Sequence, residues 1–303
     1  MAASRYVKDG GLTARMTLTL FLLGGLYVAL VAVVLLYVRS PGGAVVVAAV
    51  AIGIAFWQWW SSDSVAMRAM RAREVTPQEA PELHGMIDRL CALADMPKPR
   101  VGISDMAIAN AFATGRSPDR AVVCVTTGIL QTLDAEELEA VLAHELSHVA
   151  HRDVLVMTVA SSAGIAAGLL MRFAQFGGMG RSRNNGAAAA AMVSLLVSLV
   201  VYAVSFLLLR LLSRYRELSA DRAGAYLTMK PAALASALQK ISGEAPATPT
   251  RDLRSANVAA ASALCIVPAL RGGGLSGLMA THPPLQQRLE QLARIQAELS
   301  RPA

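Results

Sequence analysis

Residues 134–153 read DAEELEAVLAHELSHVAHRD, and the rest of the chain is best understood outward from this stretch. Asp134 with Glu137 three residues later is a D-x-x-E form of the capping box, and Leu133 with Leu138 supplies the hydrophobic staple around it. Together they predict a helix from about Ala135 to His151. On that helix His144 and His148 are four apart and share one face, so both imidazoles can reach a single Zn²⁺. Glu145 projects beside the same point, where it can take a proton from water. From this chain's own His and Glu content, such an H-E-x-x-H is expected by chance at roughly 0.003, so the match is a strong signal.

A catalytic zinc needs a third protein ligand and an open position. His151 is nearest, but three ligands along two turns of one helix cannot converge on an ion without distortion. A metzincin would have His six residues after His148, where this chain has Val154. Glu217, in Glu217-Leu218-Ser219-Ala220-Asp221, offers a carboxylate on a second helix. Asp221, one turn on, can orient a ligating imidazole. Ala220, Ala223 and Gly224 would let this helix pack close to the first. Asp153, at the end of the motif helix, suits tying down local backbone as well as serving the site. His84 has no partner in sequence and is expected on the surface of its helix.

The surroundings are unusually apolar. Of 303 residues, 54% are hydrophobic and only 16% charged, with a mean hydropathy of +0.46, whereas soluble domains carry about a quarter charged residues. Four runs lack any charge: Met16 to Val38, the stretch between Arg39 and Asp63, Val154 to Met171, and the stretch between Arg183 and Arg210. A helix needs roughly 20 apolar residues to cross a bilayer; the third run is marginal and the others suffice. The second ends in Trp57, Trp59 and Trp60, residues suited to a membrane interface. No A-x-A-like site follows the first run, so it is expected to be an uncleaved span and not a signal peptide. The net charge of +7 would suit nucleic acid, but the Lys and Arg cluster at the ends of the runs. Positive-inside counting gives eleven on one side against four on the other, which predicts cytoplasmic termini and polar blocks and no nucleic-acid partner. Cys91, Cys124 and Cys265 show no paired spacing, as reduced thiols in a cytoplasmic domain would not.

The expected organisation is a transmembrane hairpin at 1–62, a first half of the catalytic domain at 63–153, a second hairpin at 154–212, and a second half at 213–303. The fold class is a mainly α membrane protein with four transmembrane helices in two hairpins, plus a zincin-like α+β metalloprotease domain with a small β-sheet. In the polar blocks, helices are predicted at Pro81 to Ala94, Arg214 to Met229, Ala232 to Ile241 and from Pro283-Pro284 through Ile295. Short strands are predicted at Val101 to Ser104, Ala109 to Thr114 and Ala121 to Thr126. Residues 243–275 read as loop-like.

Beyond the two motifs, Asn110-Ala111-Phe112-Ala113-Thr114-Gly115, Thr127-Gly128-Ile129-Leu130 and Thr281-His282-Pro283-Pro284 occur in an order that resembles the HtpX-type membrane zinc metallopeptidases, relatives of the type 1 CaaX prenyl protease. The resemblance spans nearly the whole chain. It implies zinc ligands His144, His148 and Glu217, one Zn²⁺ per chain, with Glu145 as general base. It also implies that Asn110 lies on an edge strand offering its backbone to an extended peptide, and that His282 steadies the developing oxyanion. The implied setting is the bacterial inner membrane, with the catalytic domain facing the cytoplasm. The implied substrates are polypeptides, above all misfolded or stress-damaged membrane proteins.

Two other readings make different demands. A site-2-type intramembrane protease would hold H-E-x-x-H inside an apolar span, whereas residues 134–153 contain four Glu, two Asp, three His and an Arg. A non-catalytic membrane adaptor with structural zinc would close its site with four side chains, usually rich in Cys. The three cysteines lie far from both motifs in sequence.

Overall fold

The computed structural model describes residues 9–37, 45, 49, 52–53, 56–57, 59–153, 185–244 and 282–301. The chain divides into two units, one of Met1–Leu12, Ser61–Val154 and Ser213–Ala303, the other of Thr13–Trp60 and Leu155–Leu212.

The first unit is built on a four-stranded mixed sheet. Its strands are β1 (Ala72–Glu74), β2 (Arg100–Ser104), β3 (Ala111–Thr114) and β4 (Val122–Thr126), in the order β1-β2-β4-β3. The central pair β2·β4 is parallel and both flanking pairs are antiparallel. All five residues of β4 are buried, as expected where a β-branched run is covered on both faces. Strand alternation divides the side chains between two cores. Val101, Ala111, Val123 and Val125 join the main core. Phe112 and Cys124 face the other way, onto Ala66 of α2 (Ser62–Ala69) and Met70 just beyond it.

Helices α3 (Pro81–Ala94) and α5 (Ala135–Ala150) enclose the main core, with the short α4 (Thr127–Thr132) between β4 and α5. The capping box of α5 is fully formed: Asp134 accepts from the Glu136 and Glu137 amides, and the Glu137 side chain accepts from the Asp134 amide. From Ser213 onward α6 (Asn185–Thr228) belongs to this unit. α7 (Pro231–Glu244) packs on α5 and on the terminal α8 (Leu285–Leu299). Glu137 also joins α5 to α7, because Ser236 Oγ and Lys240 Nζ both donate to its carboxylate at 2.6 Å.

Sequence and structure agree on α3, α5, β2, β4, α7 and α8 to within a few residues. β1 and α2 were not expected, being too short to show a period. His84 corrects a second expectation. It is buried, not a surface residue, because it lies between Leu83 and Ile87 on the inward side of α3. Its Nε2 is satisfied by the Val75 carbonyl at 3.0 Å. Cys91 and Cys124 are free and buried, and burial pushes their thiols up to about 11 and about 12; Cys265 lies outside the described residues.

In the second unit, α1 (Gly10–Tyr37) covers most of the first apolar run, and α6 begins within the fourth. Leu23 is buried among Leu26, Leu208 and Leu209, while Phe21, Val28, Leu196, Val200 and Leu207 are exposed. Among the described residues no helix is long and apolar enough to cross a membrane, so the four spans remain expectations. The third run and the loop 172–183 lie outside the described residues, as do 245–275 and most of the second run. At the end of the second run, Phe56 and Trp60 stack with centroids 5.8 Å apart.

Asp134→Ala should lower the stability of the sheet-bearing unit by about 1 kcal/mol, read from denaturant unfolding of the full chain. The other half of the box adds a pH dependence. Burial opposes ionisation of Glu137, but hydrogen bonds from Lys240, Ser236 and Asp134 outweigh it and hold the carboxyl below its ordinary range. Its contribution is therefore complete above the unfolded carboxylate pKa and is lost as pH falls through the lower folded value. The stability gap between wild type and Glu137→Gln should shrink steadily from pH 5 downward; a gap constant with pH would contradict the assignment.

Candidate metal centre

Close approach of two helices makes the site. Gly224 of α6 faces the backbone of α5, and a Cβ there would lie 2.9 Å from His144 N and 3.2 Å from its Cα. Only glycine permits that contact. It brings Glu217, two turns earlier on α6, opposite His144 and His148. Glu217 Oε2 lies 3.6 Å from His144 Nε2, and Glu217 Oε1 lies 3.6 Å from His148 Nε2. One ligating atom from each of the three residues falls within 4.8 Å of the others, and all three residues are buried. The two imidazoles meet edge to face with centroids 5.0 Å apart.

Behind each imidazole stands a carboxylate, and behind each carboxylate an arginine. His144 Nδ1 is 2.9 Å from Asp221 Oδ1, and Asp221 receives Arg288 Nη2 and Nε at 2.6 and 2.7 Å. His148 Nδ1 donates to Asp153 Oδ2 at 2.7 Å, and the same oxygen is ion-paired to Arg216 Nε at 2.8 Å. Asp153 is thus a site residue; of its two possible roles the structure shows the one facing the imidazole. His282 is buried, with Nδ1 3.1 Å from Glu217 Oε2. Glu145 Oε2 accepts the Ala113 amide of β3 at 3.0 Å. His151 caps the C-terminus of α5 and does not join the ligand group.

Asn110 requires a correction. It precedes β3, and its backbone is turned inward: its amide donates to Thr126 Oγ1 and its carbonyl accepts the Thr126 amide, each at 2.9 Å. The Asn110 backbone is therefore not offered at the sheet edge. The edge itself is Ala111–Thr114, which the sequence placed in the same segment.

Electrostatics follow from this packing. Burial opposes charge on His144, yet the carboxylates of Asp221 and Glu217 override it and push the imidazole up to about 9. Burial likewise opposes ionisation of Glu217, but His282, His144 and His148 hold its carboxyl well below the usual range. Asp153 is held down to about 2, chiefly by Arg216 against the effect of burial. Glu145 is raised, above all by burial. The carboxylates of Glu145, Asp153, Glu217 and Asp221 face two guanidiniums, so in the protonation state that metal ligation requires, with neutral imidazoles and ionised carboxylates, two negative charges are left over in a buried space. His144 Nε2 and Glu217 Oε2 are buried without a hydrogen bond among the described residues. Two imidazole nitrogens and a carboxylate oxygen, convergent and short of two positive charges, fit a divalent metal ion.

The sequence did not reveal Arg216 and Arg288 as site residues. For Arg288 a signal existed: it occupies a buried position in the stripe with Leu292 and Ile295 on α8, where a charge needs a partner. The Ala113 amide carries no side-chain signal at all.

A model of peptidase family M48 matches residues 77–296. Protease HtpX homolog 1 of Streptomyces coelicolor is 54% identical over 298 residues, which is 98% of this chain and 96% of that protein. The Protease HtpX homolog of Moorella thermoacetica is 49% identical over 294 residues, 96% of this chain and 97% of its own. Among solved structures, the crystal structure of S. mikatae Ste24p shares the fold, with a TM-score of 0.54 at 18% identity over 91% of this chain and 64% of that one.

Since Asp153 and Asp221 each hold one imidazole, Asp153→Asn should weaken zinc binding by about 10–100-fold, as Asp221→Asn should. Zinc content after dialysis against a graded chelator reads this directly. Full retention in Asp153→Asn would mean that its carboxylate serves only the backbone.

Proposed function

The chain belongs to peptidase family M48, and from that premise we propose that it is a zinc-dependent endopeptidase. Its proposed ligands are His144, His148 and Glu217, for one Zn²⁺ per chain. The observation that carries this reading is the convergence of those three buried groups with Glu145 beside them. Two His and one Glu form a donor set of catalytic zinc, which leaves a position open. When bound, the ion supplies a Lewis acid that polarises the scissile carbonyl and makes water lose its proton near neutral pH.

The remaining roles fall to the chain. Glu145 takes the proton from the attacking water and returns it to the leaving amine; the Ala113 amide fixes its carboxylate for that task. An extended polypeptide lies along β3 (Ala111–Thr114), an edge strand. His282 keeps Nδ1 at Glu217 and Nε2 buried without a hydrogen bond among the described residues; as an imidazolium, with a proton on each nitrogen, it donates Nε2–H toward the oxygen that gains charge. A closed structural site is not supported, since Cys91 and Cys124 lie in the apolar cores.

The exposed apolar side chains of α1 and α6, and the exposed Phe56, Trp57 and Trp60, support a lipid environment for the second unit. The proposal is a multi-pass protein of the bacterial inner membrane, with hairpins at 1–62 and 154–212 and catalytic halves at 63–153 and 213–303 facing the cytoplasm. Its proposed substrates are damaged membrane polypeptides, in keeping with a role in quality control or stress response.

Glu145→Gln should abolish cleavage of a membrane-protein substrate while about one zinc per chain remains; loss of the metal would refute the base assignment. Glu217→Ala should lower zinc affinity severely, whereas His151→Ala should leave the metal bound. Topology is tested separately with single cysteines in a background without native thiols. Gly42 and Gly180 should label from outside the cell and Ala280 should not; the reverse pattern would invert the orientation.

A further inference from the structure

Arg288 is 2% exposed, on the terminal helix α8. A guanidinium so buried persists only when its charge and donors are matched. Nη2 and Nε grip both oxygens of Asp221 at 2.6 and 2.7 Å, the bidentate geometry that fixes a carboxylate in orientation as well as charge. Nη1 is 3.9 Å from Glu217 Oε2. The Asp221 oxygen that receives Nη2 is the one 2.9 Å from His144 Nδ1. One planar group therefore grips the carboxylate behind one proposed ligand and reaches toward a second ligand itself. Arg216 meets Asp153 through one nitrogen, Nε, at 2.8 Å, with Nη2 3.5 Å from His148 Nδ1, and so lacks the two-point grip.

We infer that Arg288 is a positioning residue of the metal centre: it holds Asp221, and through it the His144 ring, so that His144 Nε2 converges with the Glu217 carboxylate on one ion. The inference rests on the metal-binding reading above. It gives α8 a defined part in a site whose motifs lie on α5 and α6. A lysine would supply the charge without the fork and so could not hold both Asp221 oxygens in one plane. Gln291, on the same helix, provides an internal comparison. Its Nε2 donates to the Leu218 carbonyl at 2.6 Å, so it fastens α8 to α6 without touching either carboxylate.

The test uses the full-length protein and Zn²⁺ competition against a chromophoric chelator, together with the visible spectrum of the Co²⁺-loaded protein, which reports coordination geometry. Arg288→Gln should weaken Zn²⁺ binding by about 10–100-fold and alter the Co²⁺ bands, with Arg288→Lys recovering only part of the affinity. Gln291→Ala should lower thermal stability and leave Zn²⁺ affinity and the Co²⁺ spectrum unchanged. In an Asp221→Asn background, Arg288→Gln should add little, because both act through one carboxylate. Unchanged affinity and spectrum in folded Arg288→Gln would overturn the inference. So would fully additive effects in the double variant, or failure of both Arg288 variants to fold, which would make the residue merely structural. Wild-type protein that binds no Zn²⁺ would instead refute the function proposed above.

Discussion

Four carboxylates buried around two imidazoles are the constraint on which this protein's architecture depends. Glu145, Asp153, Glu217 and Asp221 stand at the junction of α5 and α6 with Arg216 and Arg288 as counter-charges. Leaving a buried ion pair with one partner missing costs about 3–5 kcal/mol, so the surrounding groups must balance. The two guanidiniums neutralise half of the negative charge. A divalent cation held by His144, His148 and Glu217 would neutralise the rest, at a point where the carboxylates of Asp221 and Glu217 already face His144. Folding and metal binding are coupled wherever ligands carry uncompensated charge in the absence of the ion.

The rest of the first unit reads as the means of holding these charges in place. The capping box starts α5 at a defined residue and so fixes the phase at which His144 and His148 emerge. Gly224 allows α6 to meet that helix backbone to backbone. The edge strand β3 lies beside α5, so one amide of the sheet, that of Ala113, reaches Glu145. Gly128 is used similarly at the end of β4: a Cβ there would overlap the Ala107 carbonyl oxygen at 2.2 Å, so only glycine lets that loop lie against α4. Each contact is short-range, yet together they bring residues 113, 145, 217, 221, 282 and 288 to one place.

The sequence made the proposed metal ligands legible because helix periodicity converts spacing into direction: a four-residue step puts His144 and His148 on one face, and an Asp one turn beyond Glu217 points the same way. It also made α3, α5, β4 and α8 legible, since each carries an apolar period or a cap. What it hid depended on tertiary contact. The environment of His84 is decided by Val75, nine residues away on another segment. The orientation of Asn110 is decided by a hydroxyl on β4. Arg216 stands next to Glu217 in sequence, yet its partner is the buried Asp153, 63 residues away in the chain. A charged residue inside an apolar stripe, as at Arg288, is the one such signal that sequence can show.

X-ray absorption at the zinc edge of the purified full-length protein decides whether His144, His148 and Glu217 bind the ion, because it reads the donor atoms themselves. One zinc per chain is expected in a shell of nitrogen and oxygen at about 2.0–2.1 Å, with the multiple scattering of two imidazoles and no sulfur. A sulfur shell at about 2.3 Å, or a single imidazole, would contradict it.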